Sequence, residues 1–172
     1  MVHRGLWGAL GRLAPCCVAL ALVGCGGDDD GNSPTRSEFI AAADEICRDA
    51  RSESESLQGR LNRLAQGRGN TPEELDEAAR LLRQLADVNQ SIVRQIGDLR
   101  SPPEDREVVE KLLATGERSV ALALDLADAY LAASETPGQS DIPGATAALG
   151  KTVAKSRRLA HDYGFEVCGG AD

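Results

Sequence analysis

Aromatic side chains make up 3% of this 172-residue chain: one Trp, two Tyr and two Phe. Sugar clefts and single-strand nucleic-acid channels rely on platforms of stacked rings, which so few aromatics cannot supply. Histidine occurs twice, at His3 and His161, and the lone methionine is Met1. The Cys-x-x-Cys-His spacing of an attached haem is absent, as is a pair of Glu-x-x-His motifs for a di-iron bundle. Cys-x-x-Cys is missing too, and so is the Gly-x-Ser-x-Gly elbow of a serine hydrolase. No segment alternates apolar and polar residues with period two, which argues against a sheet. Lys and Arg together number 19 against 27 Asp and Glu, a net charge of −8, so nucleic acid is a poor partner. No cofactor or metal and no catalytic residue is expected.

The first residues follow a different plan. His3, Arg4 and Arg12 precede an apolar stretch, Leu13 to Val23, with no acidic residue among them. This layout is that of a secretory signal peptide. The run falls short of the ~20 residues that a membrane-spanning helix needs, and Pro15 interrupts it. At its end, Leu22-Val23-Gly24-Cys25 resembles the lipobox of bacterial lipoproteins. The resemblance implies cleavage between Gly24 and Cys25 and transfer of a diacylglycerol to the Cys25 thiol. Two acyl chains hold a protein on a bilayer where a single chain does so only marginally. Residues 1–24 are therefore read as a lipoprotein signal peptide. Residues 25–34, the lipidated cysteine and the tract GGDDDGNSP, contain no apolar side chain beyond Cys25 and Pro34 and read as a flexible acidic tether. Asp28, Asp29 and Asp30 lack the spacing of a calcium loop.

Removal of residues 1–24 leaves 148 residues, enough for one domain, with all 27 acidic and 17 of the 19 basic side chains. An anionic membrane repels such a surface, so the acyl anchor at Cys25 is the expected membrane contact. Two further cysteines remain, Cys47 and Cys168. In an exported chain the economical reading is one disulfide, the alternatives being a metal pair or two free thiols. A bridge would close a loop of more than a hundred residues and contribute up to ~4–5 kcal/mol on the chain-entropy account.

Helix starts are legible. Thr35-Arg-Ser-Glu38, Thr71-Pro-Glu-Glu74 and Ser101-Pro-Pro-Glu104 each fit the capping box, and Asp141-Ile-Pro marks a fourth start. Gly67, Thr136-Pro137-Gly138 and Gly164 punctuate the ends. Apolar residues stepping by three and four predict helices over about 36–66, 72–99, 102–134 and 143–163. The first stripe has a polar gap at Ser52-Glu-Ser-Glu-Ser56, where a kink is expected, and the second includes a polar residue, Asn89. Short connections predict an all-α, up-down-up-down four-helix bundle over residues 35–172. That topology places the start of the first helix and the end of the fourth at one pole. An extended tail from Phe165 reaches about 16 Å, and Cys47 lies about 18 Å into the first helix, so a bridge to Cys168 fits.

Phe39-Ile-Ala-Ala-Ala-Asp-Glu-Ile-Cys47 and Tyr163-Gly-Phe-Glu-Val-Cys-Gly169 together resemble the two ends of small actinobacterial envelope lipoproteins. An excess of arginine over lysine, 16 to 3, agrees with a GC-rich genome of that kind. The resemblance implies a helical, disulfide-closed domain outside the cytoplasm and brings no assigned activity.

The remaining motifs have plain explanations. Gly144 to Thr152 imitates a phosphate-binding loop but has five residues between its glycines instead of four, with no strand before it. His161 and Asp162 suggest a hydrolase, yet a histidine in the last turn of a helix suits the helix dipole. Lys151, Lys155, Arg157 and Arg158 form the densest basic cluster, a solvated helix face or a contact for envelope polyanions. Asn89 is a boundary residue, a register-setting polar group or a pocket lining. The sequence thus predicts a non-enzymatic lipoprotein on the extracytoplasmic side of the cell membrane. It would serve either as an interaction module for an envelope protein or as a solute-binding lipoprotein with a pocket between its helices. A cavity with convergent polar groups would favour the second.

Overall fold

The computed structural model describes residues 33–66, 71–136, 138 and 140–170. The signal peptide, Gly24, Cys25, the acidic tract, Gly67 and Pro137 lie outside the described residues. Four helices form the domain: α1 over Arg36–Gln66, α2 over Pro72–Asp98, α3 over Arg106–Glu135 and α4 over Ile142–Tyr163. No strand occurs among the described residues. Backbones approach closely in chain order, α1 to α2, α2 to α3 and α3 to α4, giving the expected all-α four-helix bundle. The seam between α1 and α4 has no comparable approach.

The helix ends follow from local chemistry. Thr71 and Glu74 form a reciprocal capping box: the Glu74 N–H donates to Thr71 Oγ1 at 3.3 Å, and the Thr71 N–H donates to Glu74 Oε2 at 3.2 Å. Thr35 and Glu38 do the same at the start of α1. The Thr35 N–H holds the Glu38 carboxyl below its ordinary range. Asp141 Oδ1 accepts the Gly144 N–H at 3.0 Å to open α4. Gly164, at φ +112°, turns the chain out of α4 while its N–H bonds back to Ala160 and His161. That left-handed backbone is one that glycine adopts freely.

Two expectations are corrected. Ser101 does not cap α3; a 3-10 turn, Pro103–Asp105, intervenes, and α3 begins at Arg106. Pro102 precedes Pro103 and is held extended, at φ −57° and ψ 136°, so no helical turn can begin directly after Ser101. The polar tract Ser52–Ser56 does not break α1, which runs continuously to Gln66. Solvent on one side and a cavity on the other accept its serines and glutamates without interrupting the backbone ladder.

The core is divided. At the pole shared by the start of α1 and the end of α4, Phe39, Ala43, Val109, Ala160, Tyr163 and Phe165 are buried together. The Phe39 ring meets Tyr163 edge-on at 6.1 Å, and Tyr163 meets Phe165 at 5.2 Å. At the opposite pole Ala79, Leu82, Leu126 and Ala127 form a second cluster flanked by Leu61, Tyr130 and Leu149. Between them lies only a small group, Ala86, Val120 and Ala123. Gly116 lets α2 and α3 approach there, since a Cβ at that position would stand 2.7 Å from Val93 Cγ2.

Candidate functional site: a cleft along the α1–α4 seam

The divided core leaves a cavity of about 550 Å³ that runs along the bundle axis. Its apolar wall comes from Leu85, Ile92, Val93 and Ile96 of α2, Leu112 and Leu113 of α3, and Leu149 and Val153 of α4. These side chains lie on the inward stripes yet are only half-buried. From α1 come Arg51, Ser54, Glu55 and Gln58, the face of its polar gap. Asn89, Gly116 and Ser156, which also stand on the inward faces, line the same space. Asn89 Nδ2 donates to the Leu85 carbonyl at 2.8 Å, which leaves its Oδ1 as an acceptor. The polar gap of α1 and the polar Asn89 of α2 thus border one cavity.

The pole below the cleft is closed by the tail. Cys47 and Cys168 form the expected disulfide, with an S–S distance of 2.00 Å and Cα atoms 5.3 Å apart. Sequence reasoning missed the groups that seat it. Asp44, 6% exposed, accepts the N–H groups of Glu166, Val167 and Cys168 at 2.9, 3.0 and 2.9 Å. These donors follow the end of α4 and have no intrahelical partner, so one carboxylate of α1 satisfies three of them. The available signal was an aspartate sharing the apolar face of Phe39 and Ala43. Asp105, 2% exposed, accepts from Arg36 Nε at 2.7 Å, from a second nitrogen of the same guanidinium, and from the Tyr163 hydroxyl at 2.9 Å. The Arg36 bond, aided by Tyr163, holds the Asp105 carboxyl below its ordinary range despite burial. Burial, and then the bond to Asp105, push the Tyr163 hydroxyl well above its usual value. The Arg36 guanidinium also lies 5.1 Å from the centre of the Tyr163 ring.

The other sequence candidates are dispersed. His161 is exposed in the last turn of α4, 3.6 Å from the equally exposed Asp162. Gly144 to Thr152 is continuous helix, with the Gly144 N–H bound by the Asp141 cap and the following amides in the helical ladder, so they form no phosphate cradle. Lys151, Lys155 and Arg158 are exposed, whereas Arg157 borders the cleft. Among the described residues no group of three or more His, Cys, Asp or Glu could hold a metal. No described helix is long and apolar enough to cross a membrane.

Fold and cleft together define a disulfide-closed helical bundle with a ligand-sized cavity. No protein-family model, no curated protein and no solved structure matches the chain.

Proposed function

We propose that this protein is a lipoprotein anchored through Cys25 on the extracytoplasmic face of the cell membrane, where its bundle binds a small, largely apolar molecule in the α1–α4 cleft. The observation that carries the binding role is the cavity itself. Its volume lies within the ~300–1,000 Å³ of small-molecule sites, and its apolar wall faces a few polar groups. The anchor rests on Leu22-Val23-Gly24-Cys25 after a short apolar run, supported by a disulfide of the kind oxidising compartments maintain. Of the two roles raised by the sequence, presentation of an apolar face has less support. Large apolar side chains that are well exposed are confined to Val108 and Leu124 among the described residues, far apart along α3.

Two measurements test this reading. Cys25→Ser should move the protein out of the acylated membrane fraction, and retention there with unchanged mass would refute the anchor. Val153→Trp, which fills the cleft, should abolish fluorescence enhancement of an uncharged naphthylamine dye seen with the unaltered protein. Equal enhancement by both proteins would refute the binding site.

A further inference from the structure

The cleft carries its own electrostatic selection. Three charged side chains line it, Arg51 and Glu55 of α1 and Arg157 of α4, so cations outnumber anions in a chain whose overall charge is −8. Arg51 forms a loose ion pair with Glu55 of its own helix, 3.9 Å from Nε to Oε1, whereas Arg157 has no carboxylate partner among the described residues, so the lining keeps one uncompensated cation. Arg51 lies one turn beyond Cys47 on α1, and the Arg157 Nε lies 3.7 Å from where a Cβ on Gly170 would sit. The two arginines line the cleft from the two helices that the seam separates. Guanidinium groups recognise carboxylate and phosphate oxygens through short, charge-assisted bonds.

The apolar wall supplies the second half of the recognition. From Leu82 to Ile96 it follows α2 for about 21 Å of helical rise. One leaflet of bilayer hydrocarbon is about 15 Å deep, so an acyl chain of membrane length fits the cavity's long axis. Resting on the binding role proposed above, we infer that the ligand is a single-chain anionic amphiphile such as a fatty acid. Its acid head lies between Arg51 and Arg157, and its chain lies along Leu85, Ile92 and Val153.

The test uses the purified full chain in lipid nanodiscs, with photoactivatable palmitate and the matching uncharged alcohol as probes. Palmitate should crosslink at about tenfold lower concentration than the alcohol, with adducts mapping to cleft residues. Arg51→Gln with Arg157→Gln should bring the two probes level, whereas Arg157→Lys, which keeps the charge, should retain most of the preference. Circular dichroism melting of the variants should match the unaltered protein, since both side chains are exposed. Equal labelling by both probes in the unaltered protein, mapped to the cleft, would overturn the anionic head while leaving the binding site standing. Labelling by neither probe would overturn both readings. Crosslinks joining two copies through the cleft would overturn the lipid ligand and make the seam a self-association surface.

Discussion

The seam between α1 and α4 is built in two ways along its length. At the disulfide pole every device of closure is used within a few residues: three touching rings, a covalent bridge, and a buried Asp44 that binds three successive N–H groups. A few turns further along α1 the same two helices face each other across open space, with Arg51, Ser54 and Gln58 opposite Val153 and Ser156. The difference lies in α1. Where its inward stripe is Phe39 and Ala43 the seam shuts, and where it is polar the seam stays open. A cavity lowers the stability of the elements around it, because side chains on its wall lack partners. The pole compensates by concentrating cohesion at one end. Close packing and open space thus occupy different halves of one interface, and the open half is the one expected to be less stable.

Removal of the bridge should produce the largest effect. Cys47→Ala with Cys168→Ala releases a closure that spans 121 residues, and chain entropy sets the loss of unfolding free energy at about 5 kcal/mol. Urea unfolding measures it directly, and a loss below about 2 kcal/mol would show that the pole holds without its staple. Phe39→Ala comes next, at about 3–5 kcal/mol, because Phe39 is 2% exposed and touches both other rings of the pole. Gly116→Ala should cost about 1–3 kcal/mol, since its new Cβ would displace Val93, a β-branched side chain with little rotamer freedom in a helix. Leu85→Ala should cost about 1 kcal/mol or less, because that leucine already faces the cleft. If Leu85→Ala proved as costly as Phe39→Ala, the cleft would be a packed core and the contrast between the halves would fail.

Helix number and most helix limits were legible in the sequence because they rest on local rules, and the disulfide pairing because Cys47 and Cys168 are the only cysteines after Cys25. The Thr71-Pro-Glu-Glu74 box and the left-handed Gly164 are specified within one turn of chain. The α3 start was misread because Ser101 carries the right spacing while Pro103 holds the preceding Pro102 extended and keeps it out of the helix. The site was only half legible. Asn89 stood out on its stripe, but its convergence with Gly116, Ser156, Arg51 and Gln58 depends on how four helices rotate against one another. Asp44 and Asp105 were hidden for a related reason. Each satisfies donors more than 50 residues away, and no local pattern records such a partner.

The gentlest perturbation is pH, and its sign follows from the Arg36–Asp105–Tyr163 cluster. The folded state holds the Asp105 carboxyl below its ordinary value of 3.8, chiefly through Arg36. Its contribution is therefore present above that pH and is lost as pH falls through the lower folded value. Tyr163 is raised above its ordinary value of 10.0, chiefly by burial, so its contribution is present below pH 10.0 and is lost as pH rises beyond it. The melting temperature should hold a plateau between these limits and decline on both sides. The Arg36 side chain is 55% exposed, so water and salt screen the pair and the acid decline should be shallow. Asp105→Asn should lessen the acid limb and Tyr163→Phe the alkaline one, each read from thermal melts over about pH 2 to 11. Because all three groups sit at the pole and none lines the cleft, palmitate labelling at pH 7 should survive Tyr163→Phe. Loss of labelling in that variant would mean that the closed half of the seam holds the open half in shape, and the two halves would have to be treated as one unit.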